Sequence, residues 1–383
     1  MKVLHFSTHD EACGIGKYQE AFLEVLAPSD EVENRFFDLS PNVIRTLPDD
    51  QYAAAMDRLA EEVRGYDILH VQHEWGFYSR DEMGRAVAAA RAAGARLIVT
   101  LHTSPGVLDL AVPARAGISP RAFLNHYRAR AERRALDERV IAPLRAADLL
   151  IVHNSAAFRE LVAAGVDPAR IRRLVLPAKR TTNVRESTRI REGLRVQKDD
   201  VVLCTIGFLH RYKGVDAAIK ALTFLPDNYK LAVIGGINPT SHDVAVYDEL
   251  TDLVRELGLK DRVYITGYVE GDLELDAMVR ECDIAVYPYD GEYYSQVTSA
   301  ALTTALSNSM PTVAYPTETF RELNALVHCI ELTDTFAYYE LARVVQRTPT
   351  TWPSPAAIAF TERYSYERVS EDLLALYREA LAG

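Results

Sequence analysis

Short apolar runs alternate along the chain with longer segments of helical periodicity. In the first half the runs are KVLHFS, DILHVQ (67–72), RLIVTLH (96–102), DLLIVHN (148–154) and IRRLVLP (171–177). In the second half they are VVLCTIG (201–207), KLAVIGG (230–236), RVYITGY (262–268), DIAVYPY (283–289) and PTVAYP (311–316). β-Branched runs separated by helices are typical of βα units. The pattern therefore predicts an α/β protein with two doubly wound parallel sheets.

Two further segments complete this organisation. Residues 178–200 are polar and charged and lack an apolar run, which predicts a connection between the two halves. Residues 366–381 carry apolar side chains every three or four positions, which predicts an amphipathic helix. The predicted order is a first domain at 1–178, a linker region at 179–199, a second domain at 200–355 and a C-terminal helical segment at 356–383.

Charge and cysteine content narrow the class of partner. The net charge of −11 argues against nucleic acid, because duplex binding depends on Lys and Arg at phosphates. Cys13, Cys204, Cys282 and Cys329 form no CxxC pair, so neither a disulfide framework nor a zinc site is indicated. The apolar run after Met1 is too short for a secretory signal. We expect a cytoplasmic protein.

Residues 292–318 hold a charge at each end and none between, in a chain that is 25% charged. Hydroxyl and amide residues interrupt the segment too often for a membrane span. A buried helix explains the neutrality, and so does a pocket wall beside an anionic ligand, since carboxylates there would repel it. We expect a helix that starts near Thr298 with hydroxyl residues at its cap.

Chemistry-bearing residues follow several predicted strands, and the carboxyl ends of parallel strands are where ligands bind. Gly14 and Gly16 precede a helix expected to begin near Lys17, which suits a phosphate or simply makes a tight turn. A third glycine is missing, so the dinucleotide fingerprint of a dehydrogenase is absent. Arg211 and Lys213 lie before a helix near Val215, either as a solvated turn or facing a diphosphate.

A group of histidines follows the second and third strands. His70 and His73 point to opposite faces of one strand, which disfavours a shared zinc ion. We expect His70 to be packed in the core. His73 and His102, at strand ends, are candidates for binding polar groups of a ligand, and Glu74 lies beside them.

The ordered set of motifs resembles the retaining GT-B glycosyltransferases of family 4. The residues that carry the resemblance are GIGKY (14–18), HVQHEWG (70–76), VTLH (99–102), GFLHRYKG (207–214), VYITGYV (263–269), DIAVYPY (283–289) and ALSNSMPTVAY (305–315). The resemblance implies two Rossmann-like domains that face a central cleft, with the last helix crossing back to the first domain.

The resemblance also implies a reaction. A sugar would pass with retention from a GDP- or UDP-linked donor to a glycan, a glycolipid or another hydroxyl acceptor, without a metal or a cofactor. The implied catalytic residues are His102, beside the donor sugar, and Lys213 and Arg211, at the diphosphate. The implied donor-binding residues are Gly14, Gly16, Gly207, Tyr268, Gln296, Thr298, Ser299 and Thr304. His73 and Glu74 are expected on the acceptor side.

Three positions depart from the family pattern. Gln296 and Thr304 stand where many members carry two glutamates, and Phe208 replaces a common arginine. Thr304 is too short to replace a ribose-binding carboxylate directly. These departures leave open an alternative function, a degenerate GT-B module that binds a ligand or partner without catalysis.

An arginine-rich segment at 121–145 is predicted to be helical. The plain interpretation is a solvated helix face. The alternative is a peripheral, salt-sensitive contact with anionic lipid on the inner face of the membrane or with a lipid-linked acceptor.

Overall fold

The structure is a computed structural model of the chain, and it describes residues 1–9, 13–78, 80–103, 124, 127, 128, 130–132, 134, 135, 137–179, 186–237, 244–291 and 298–383. The chain divides into two units. The first comprises Met1–Val175, Gln296–Thr298 and Tyr366–Gly383, and the second comprises Leu176–Ser295 and Ser299–Ser365.

Each unit is built on one parallel sheet. The first sheet has the order β2-β1-β3-β4-β5-β6, with strands β1 (Lys2–Phe6), β2 (Glu33–Phe36), β3 (Ile68–His73), β4 (Arg96–Leu101), β5 (Leu149–Val152) and β6 (Ile171–Arg173). The second has the order β12-β11-β10-β7-β8-β9, with strands β7 (Val201–Ile206), β8 (Tyr229–Ile234), β9 (Val263–Ile265), β10 (Ile284–Tyr287), β11 (Thr312–Ala314) and β12 (Glu331–Leu332).

The helices connect successive strands, as parallel sheets require. In the first part of the chain they are α1 (Gly14–Leu26), α2 (Pro41–Ile44), α3 (Asp49–Val63), α4 (Glu82–Ala93), α5 (Ala142–Ala146) and α6 (Ser155–Ala163). In the second part they are α7 (Arg189–Gly193), α8 (Val215–Ala221), α9 (Ala245–Glu256), α10 (Asp272–Val279), α11 (Ala300–Ser307), α12 (Glu318–Leu326), α13 (Tyr338–Arg347), α14 (Pro355–Arg363) and α15 (Tyr366–Ala382). Asp137–Ile141 adds a turn of π-helix before α5.

The two faces of the first sheet differ in polarity. One face is an apolar core of alternate strand residues, among them Leu4, Phe6, Leu69, Val71, Leu97, Val99, Leu150 and Val152. The other face buries the polar side chains His5, His70, Gln72 and Thr100. Helices α1 and α15 pack on each other in this unit and supply hydrogen-bond partners to that polar face. Buried parallel strands are usually apolar on both faces, so this row is a distinctive feature of the first unit.

In the second unit, a glycine fixes the turn between β7 and α8. Gly214 has φ of +63°, and a Cβ built on it would lie 1.8 Å from the carbonyl oxygen of Pro288. A side chain cannot fit against this backbone atom, so glycine is required for the turn to pass beside the end of β10. The turn places Arg211 and Lys213 immediately before α8.

The predicted strands are present, with differences at their limits. β6 ends at Arg173, whereas the apolar run predicted a strand to 177. The sequence pattern missed β2 and β12 because both are polar edge strands. The helix predicted near Val215 begins there, and the helix predicted at 366–381 is α15.

Two predicted segments are arranged differently in detail. The described part of the predicted linker at 179–199 includes α7 and lies in the second unit, where Ile190 and Leu194 are buried. The C-terminal segment at 356–383 contains two helices rather than one, because the chain bends at Tyr364 and Ser365. Helix α14 belongs to the second unit and α15 to the first.

Candidate functional site

The loop after β1 leads directly into α1, three residues earlier than the expected start near Lys17. Cys13 is the N-cap, so Gly14 and Gly16 both lie in the first helical turn. Gly16 is buried, and a Cβ there would lie 3.2 Å from the carbonyl oxygen of Thr8. Amide groups of a first helical turn have no partner within the helix, so they remain suited to an anion.

His73 is the last residue of β3 and is fully buried. Its ring stacks on Tyr78, with centroids 4.9 Å apart, and meets the edge of Trp75. Neither ring nitrogen has a hydrogen-bond partner within the described part of the chain, and burial lowers the pKa of His73 to about 3. The expectation of a ligand-facing histidine at an exposed strand end is therefore not met, because β3 extends to His73 and aromatic rings cover it.

Glu74 follows His73 and is partly buried. One carboxylate oxygen accepts from the backbone amide of Trp75 at 3.0 Å, and the other accepts from the hydroxyl of Thr103 at 2.6 Å. Burial raises the pKa of this carboxyl, and hydrogen bonds from Thr103 and from the backbone amides of Trp75 and Gly76 oppose the shift. The carboxylate is fixed at the carboxyl ends of β3 and β4, as the sequence predicted for an edge of the sheet where ligands bind.

His102 follows β4 and has both ring nitrogens in contact with other side chains. Its Nε2 lies 2.8 Å from Gln72 Oε1, and its Nδ1 lies 3.3 Å from Nε2 of His153. The ring also meets Tyr18 edge to face at 5.0 Å. Burial, followed by the neighbouring His153, holds the pKa of His102 well below its usual range.

The first unit also contains Thr298 and confirms the expected core role of His70. The amide nitrogen of Asn154 donates to the hydroxyl of Thr298 at 3.2 Å. His70 is buried and bonds through Nδ1 to the hydroxyl of Tyr377 at 2.7 Å and through Nε2 to that of Thr100 at 2.8 Å. Gln296 lies outside the described residues.

In the second unit, Lys213 folds back over the end of β7. A Cβ on Gly207, whose φ is +107°, would lie 2.5 Å from Lys213 Nζ, so the absence of a side chain at Gly207 makes room for the ammonium group. Burial lowers the pKa of Lys213 to about 8. Among the described residues, no carboxylate or carbonyl pairs with this ammonium. A half-buried cation in this state is suited to an anionic ligand.

Arg211 lies two residues before Lys213 but is engaged elsewhere. Its guanidinium forms a bidentate ion pair with Glu249 of α9, and both side chains are exposed. The predicted role at a diphosphate would require this pair to open. The sequence alone gave no sign of Glu249, because it lies 38 positions away.

Helix α11 begins with a hydroxyl cap, as predicted. The hydroxyl of Ser299 accepts from the backbone amide of Leu302 at 3.1 Å. It also lies 3.2 Å from the hydroxyl of Tyr289. Ser299 is buried, so its side chain caps the helix rather than facing a ligand. Thr304 donates to the carbonyl of Ala300 at 3.1 Å. The neutral first turn of α11 leaves its helix-start amides without a competing carboxylate on the helix.

Phe208 and Tyr268 form an aromatic pair at the ends of β7 and β9. Their rings are parallel within 5°, with centroids 5.9 Å apart, and Tyr268 is exposed. The arginine that the family resemblance leads one to expect at 208 is thus replaced by half of an aromatic pair. Within the described residues, no three His, Cys, Asp or Glu side chains lie close enough together to hold a metal ion.

Comparisons with known proteins match both units. Residues 23–174 match the family model described as Glycosyltransferase Family 4, and residues 186–343 match the model described as Glycosyl transferases group 1. The chain is 26% identical to the D-inositol 3-phosphate glycosyltransferase of Acidothermus cellulolyticus, over 83% of this chain and 68% of that relative. A relative of the same name from Saccharomonospora viridis is 26% identical over 83% of this chain and 71% of its own length.

Solved structures agree with this assignment at the level of the fold. The crystal structure of Anabaena HepE in complex with UDP has a TM-score of 0.70 at 16% identity and covers 99% of this chain and 100% of HepE. Sucrose-phosphate synthase from Thermosynechococcus elongatus has a TM-score of 0.69 at 18% identity and covers 100% of this chain and 99% of that protein. The chain is a GT-B glycosyltransferase. It therefore uses a nucleotide sugar.

Sequence reasoning missed two residues of this glycosyltransferase that contact His102. These residues, Gln72 and His153, lie on the same polar face as His70 and Thr100. Gln72 is two positions after His70 in β3, and His153 directly follows β5. Polar residues at every second position of otherwise apolar strands were the signal that could have revealed them.

Proposed function

We propose that this glycosyltransferase transfers a hexose with retention from a UDP- or GDP-linked donor to a hydroxyl acceptor, without a metal or a cofactor. The observation that carries the proposal is the ammonium of Lys213. It lies against Gly207 at the carboxyl end of the second sheet and has no protein anion as a partner among the described residues. A nucleoside diphosphate is the anion that a nucleotide sugar supplies there.

The chemistry follows from where charge develops. The bond between the anomeric carbon and the diphosphate oxygen breaks, and the acceptor oxygen bonds to that carbon on the same face. The acceptor proton passes to the departing diphosphate oxygen. Lys213 would stabilise the growing negative charge, together with the amides of the first turn of α11. The lysine would supply positive charge that a metal ion could otherwise contribute, and this supports the proposal of transfer without a metal.

Release of nucleotide from a panel of UDP-, GDP- and dTDP-sugars tests the donor assignment. UDP is the first candidate because HepE, which shares the fold, was solved in complex with UDP. We expect Lys213→Ala to lower turnover by about 100-fold or more, the range seen when a group that stabilises transition-state charge is removed. Lys220→Ala is the matched control, because Lys220 is a lysine of the same unit that pairs with Asp216. Equal activity of the two variants would contradict the assignment.

Two further measurements, one on the product and one on the rate, test the remaining chemistry. NMR of the glycosidic linkage should show the same anomeric configuration as the donor sugar. Turnover should be unchanged by EDTA or by added Mg²⁺. An inverted product or full loss of activity in EDTA would each refute the corresponding part of the proposal.

The acceptor is proposed to be a glycan, a glycolipid or another polyol, with Glu74 on the acceptor side. The carboxylate is held by Thr103 and by a backbone amide, which suits a fixed hydrogen-bond acceptor for a hydroxyl. The relatives named D-inositol 3-phosphate glycosyltransferase make inositol phosphate a specific compound to include. Mass spectrometry of reactions with each acceptor would identify the glycosylated product.

The alternative function is binding of a nucleotide sugar without transfer. It is favoured by Arg211, which pairs with Glu249, and by Thr304, which bonds its own helix instead of a ribose. Binding in a thermal-shift assay without nucleotide release, for every donor and acceptor tried, would support it.

A cytoplasmic location with peripheral contact to the inner face of the membrane completes the proposal. No helix among the described residues is long and apolar enough to cross a bilayer. Only part of 121–145 is described, and there Leu124, Tyr127, Arg128, Arg130 and Arg134 are exposed. Sedimentation with anionic liposomes should show binding at low salt that is lost at high salt. The absence of low-salt binding would favour an acceptor that is not in a membrane.

A further inference from the structure

A chain of hydrogen-bonded contacts crosses the buried polar face of the first unit. At one end, Asn34 Oδ1 lies 2.8 Å from His5 Nε2, and His5 Nδ1 lies 2.9 Å from Gln19 Nε2. Gln19 Oε1 in turn lies 2.5 Å from Gln72 Nε2. The strand alternation places His5 and Gln72 on this face, and α1 contributes Gln19 from above.

The chain continues to His102 and ends at a backbone carbonyl. Gln72 Oε1 lies 2.8 Å from His102 Nε2, and His102 Nδ1 lies 3.3 Å from His153 Nε2. His153 Nδ1 lies 2.9 Å from the carbonyl oxygen of Leu174. Both nitrogens of His102 are therefore committed, one to an amide and one to a second imidazole.

The fixed acceptor at the end of the chain determines where the protons lie. The carbonyl of Leu174 can only accept, so Nδ1 of His153 carries a proton. If His153 is neutral, its Nε2 is bare and must accept from Nδ1 of His102. If His102 is neutral as well, its Nε2 must accept from the amide nitrogen of Gln72.

This neutral arrangement is complete when the side-chain amides of Gln72, Gln19 and Asn34 are turned by 180°, which exchanges the oxygen and nitrogen of each. The orientation of such an amide is assigned from its hydrogen bonds. Gln72 then donates to His102 and accepts from Gln19, and Gln19 accepts from Nδ1 of His5. Nε2 of His5 finally accepts from the amide nitrogen of Asn34. These six contacts are satisfied without a net charge. Gln72 also lies 3.2 Å from Nε2 of His70, and after the turn its oxygen can accept there from a protonated Nε2, while Nδ1 of His70 accepts from the hydroxyl of Tyr377.

The opposite orientation of the amides needs one additional proton. With Gln72 Oε1 facing His102, Nε2 of His102 must donate, while His153 still donates to Leu174. Two neutral rings hold two protons, and the three contacts require three. The pair would then be an imidazolium, shared across the 3.3 Å contact between His102 and His153. If both rings stayed neutral instead, two bare nitrogens would face each other at this distance, and the hydrogen bond between the rings would be lost.

The surroundings favour the neutral form. Tyr18 of α1 meets both rings edge to face, at 5.0 Å from His102 and 5.5 Å from His153. His70 and His73 of β3 lower the pKa of His102 further, and no carboxylate pairs with either ring among the described residues. The nearby Glu74 is bonded to Thr103 and to the Trp75 amide instead. Burial lowers the pKa of His153 to about 4.

We propose that Gln72 and His153 are positioning residues that hold His102 as a neutral imidazole, with Nδ1 protonated and Nε2 accepting from Gln72. His102 then meets the donor sugar as a hydrogen-bond donor through Nδ1, whose 3.3 Å contact with His153 is the longest of the chain and the easiest to exchange for a sugar hydroxyl. The sugar contact rests on the proposed function. The tautomer does not, because it follows from protein groups alone.

Nuclear magnetic resonance of ring-¹⁵N-labelled histidine in the full chain tests the tautomer. The sequence has ten histidines, and the loss of one signal in His102→Asn and in His153→Asn assigns the two rings. Between pH 6 and 8 we expect His102 to show a protonated Nδ1 and a bare Nε2. An Nε2-protonated ring, or an imidazolium, in that range would overturn the proposal.

A pair of substitutions at Gln72 provides a second test. Glutamate oxygens only accept, so Gln72→Glu forces Nε2 of His102 to donate, and its charge should raise the pKa of His102 by about 1–3 units. Gln72→Met has similar size and removes the contact without a charge. We expect the Nε2-protonated tautomer, and a new ionisation in the pH profile of kcat/KM, for Gln72→Glu alone.

Both variants should lose about 10- to 100-fold in kcat/KM, by analogy with the loss seen when partners that orient metal-binding histidines are removed. A folded Gln72→Glu protein with an unchanged His102 tautomer would contradict the proposal. If that variant does not fold, the wild-type spectrum still decides. Because the spectrum needs no substrate, a protein with the expected tautomer but no transfer activity would refute only the proposed function.

Discussion

Substituting Gly207 by alanine should displace the Lys213 ammonium, and it should affect catalysis much more than it affects the stability of the second unit. The new methyl carbon would lie 2.5 Å from Nζ, and an ordinary contact of about 3.5 Å requires the ammonium to retreat by about 1 Å. The end of a lysine moves easily, so this displacement costs little stability. The φ of +107° costs about 1–2 kcal/mol for any L-residue.

The effect on catalysis should be much larger than the effect on folding. A misplacement of about 1 Å at a charged group costs roughly 100-fold in rate, which corresponds to about 2.7 kcal/mol of transition-state stabilisation. We therefore expect kcat/KM for Gly207→Ala to fall by about 100-fold. Nucleotide release measured under steady-state conditions, together with urea denaturation, gives both quantities.

Gly271 provides the matched control. Its φ is +90°, and a Cβ there would meet no atom within 4 Å, so Gly271→Ala carries similar backbone strain without displacing a lysine. The two variants should lose similar stability, but only Gly207→Ala should lose activity. Equal activities, or a Gly207→Ala variant several kcal/mol less stable than the control, would refute the reasoning.

Four other predictions concern Lys213, Gly214 and Gln296. Because the pKa of Lys213 is lowered to about 8, kcat/KM should fall as the pH rises through about 8, and calorimetry in buffers of different ionisation enthalpy should show proton uptake when the donor diphosphate binds. Between about pH 8 and 10.4 the unfolded chain keeps the Lys213 proton and the native chain loses it, so the free energy of unfolding should increase with pH in this range. Urea denaturation at several pH values, compared with Lys213→Met, checks this direction. Gly214→Ala should destabilise the protein by about 2–5 kcal/mol, since its Cβ would lie 1.8 Å from the Pro288 carbonyl, whereas Gly258→Ala, with φ of +69° and open space, should cost about 1–2 kcal/mol in the same denaturation assay. Gln296→Glu should weaken use of the native donor, because a carboxylate accepts but no longer donates, and unchanged KM and kcat would show that the amide is not needed.

The fold was largely predictable because its strands are short apolar runs at regular intervals. The edge strands β2 and β12 were not predicted, because they lack such a run. Glu33 and Arg35 in β2, and Glu331 in β12, give no apolar run, since an edge strand is held by one neighbour and exposes part of its side chains. Residue patterns alone cannot distinguish such a strand from a polar loop.

The positions of the candidate residues could be predicted where they depend on the backbone, and less so where they depend on contacts with other side chains. Gly207 and Lys213 were placed at a strand end from their spacing, and the structure brings them into contact. The exposed ion pair of Arg211 and the burial of His73 depend on residues distant in sequence or on neighbouring rings. Contacts of this kind become visible only when the elements are packed.

The first unit contains both the beginning and the last helix of the described chain, and this arrangement constrains the order in which the protein can fold during synthesis. Tyr377 of α15 bonds to His70, 307 positions earlier, and Arg378 pairs with Glu31, 347 positions earlier. The second unit, in contrast, is complete in sequence by Ser365. A ribosome therefore finishes the second unit before α15, and the polar face around His70 stays uncovered by that helix until Tyr366–Ala382 has emerged. Truncation of α15 should leave a second unit able to fold beside a first unit that cannot close.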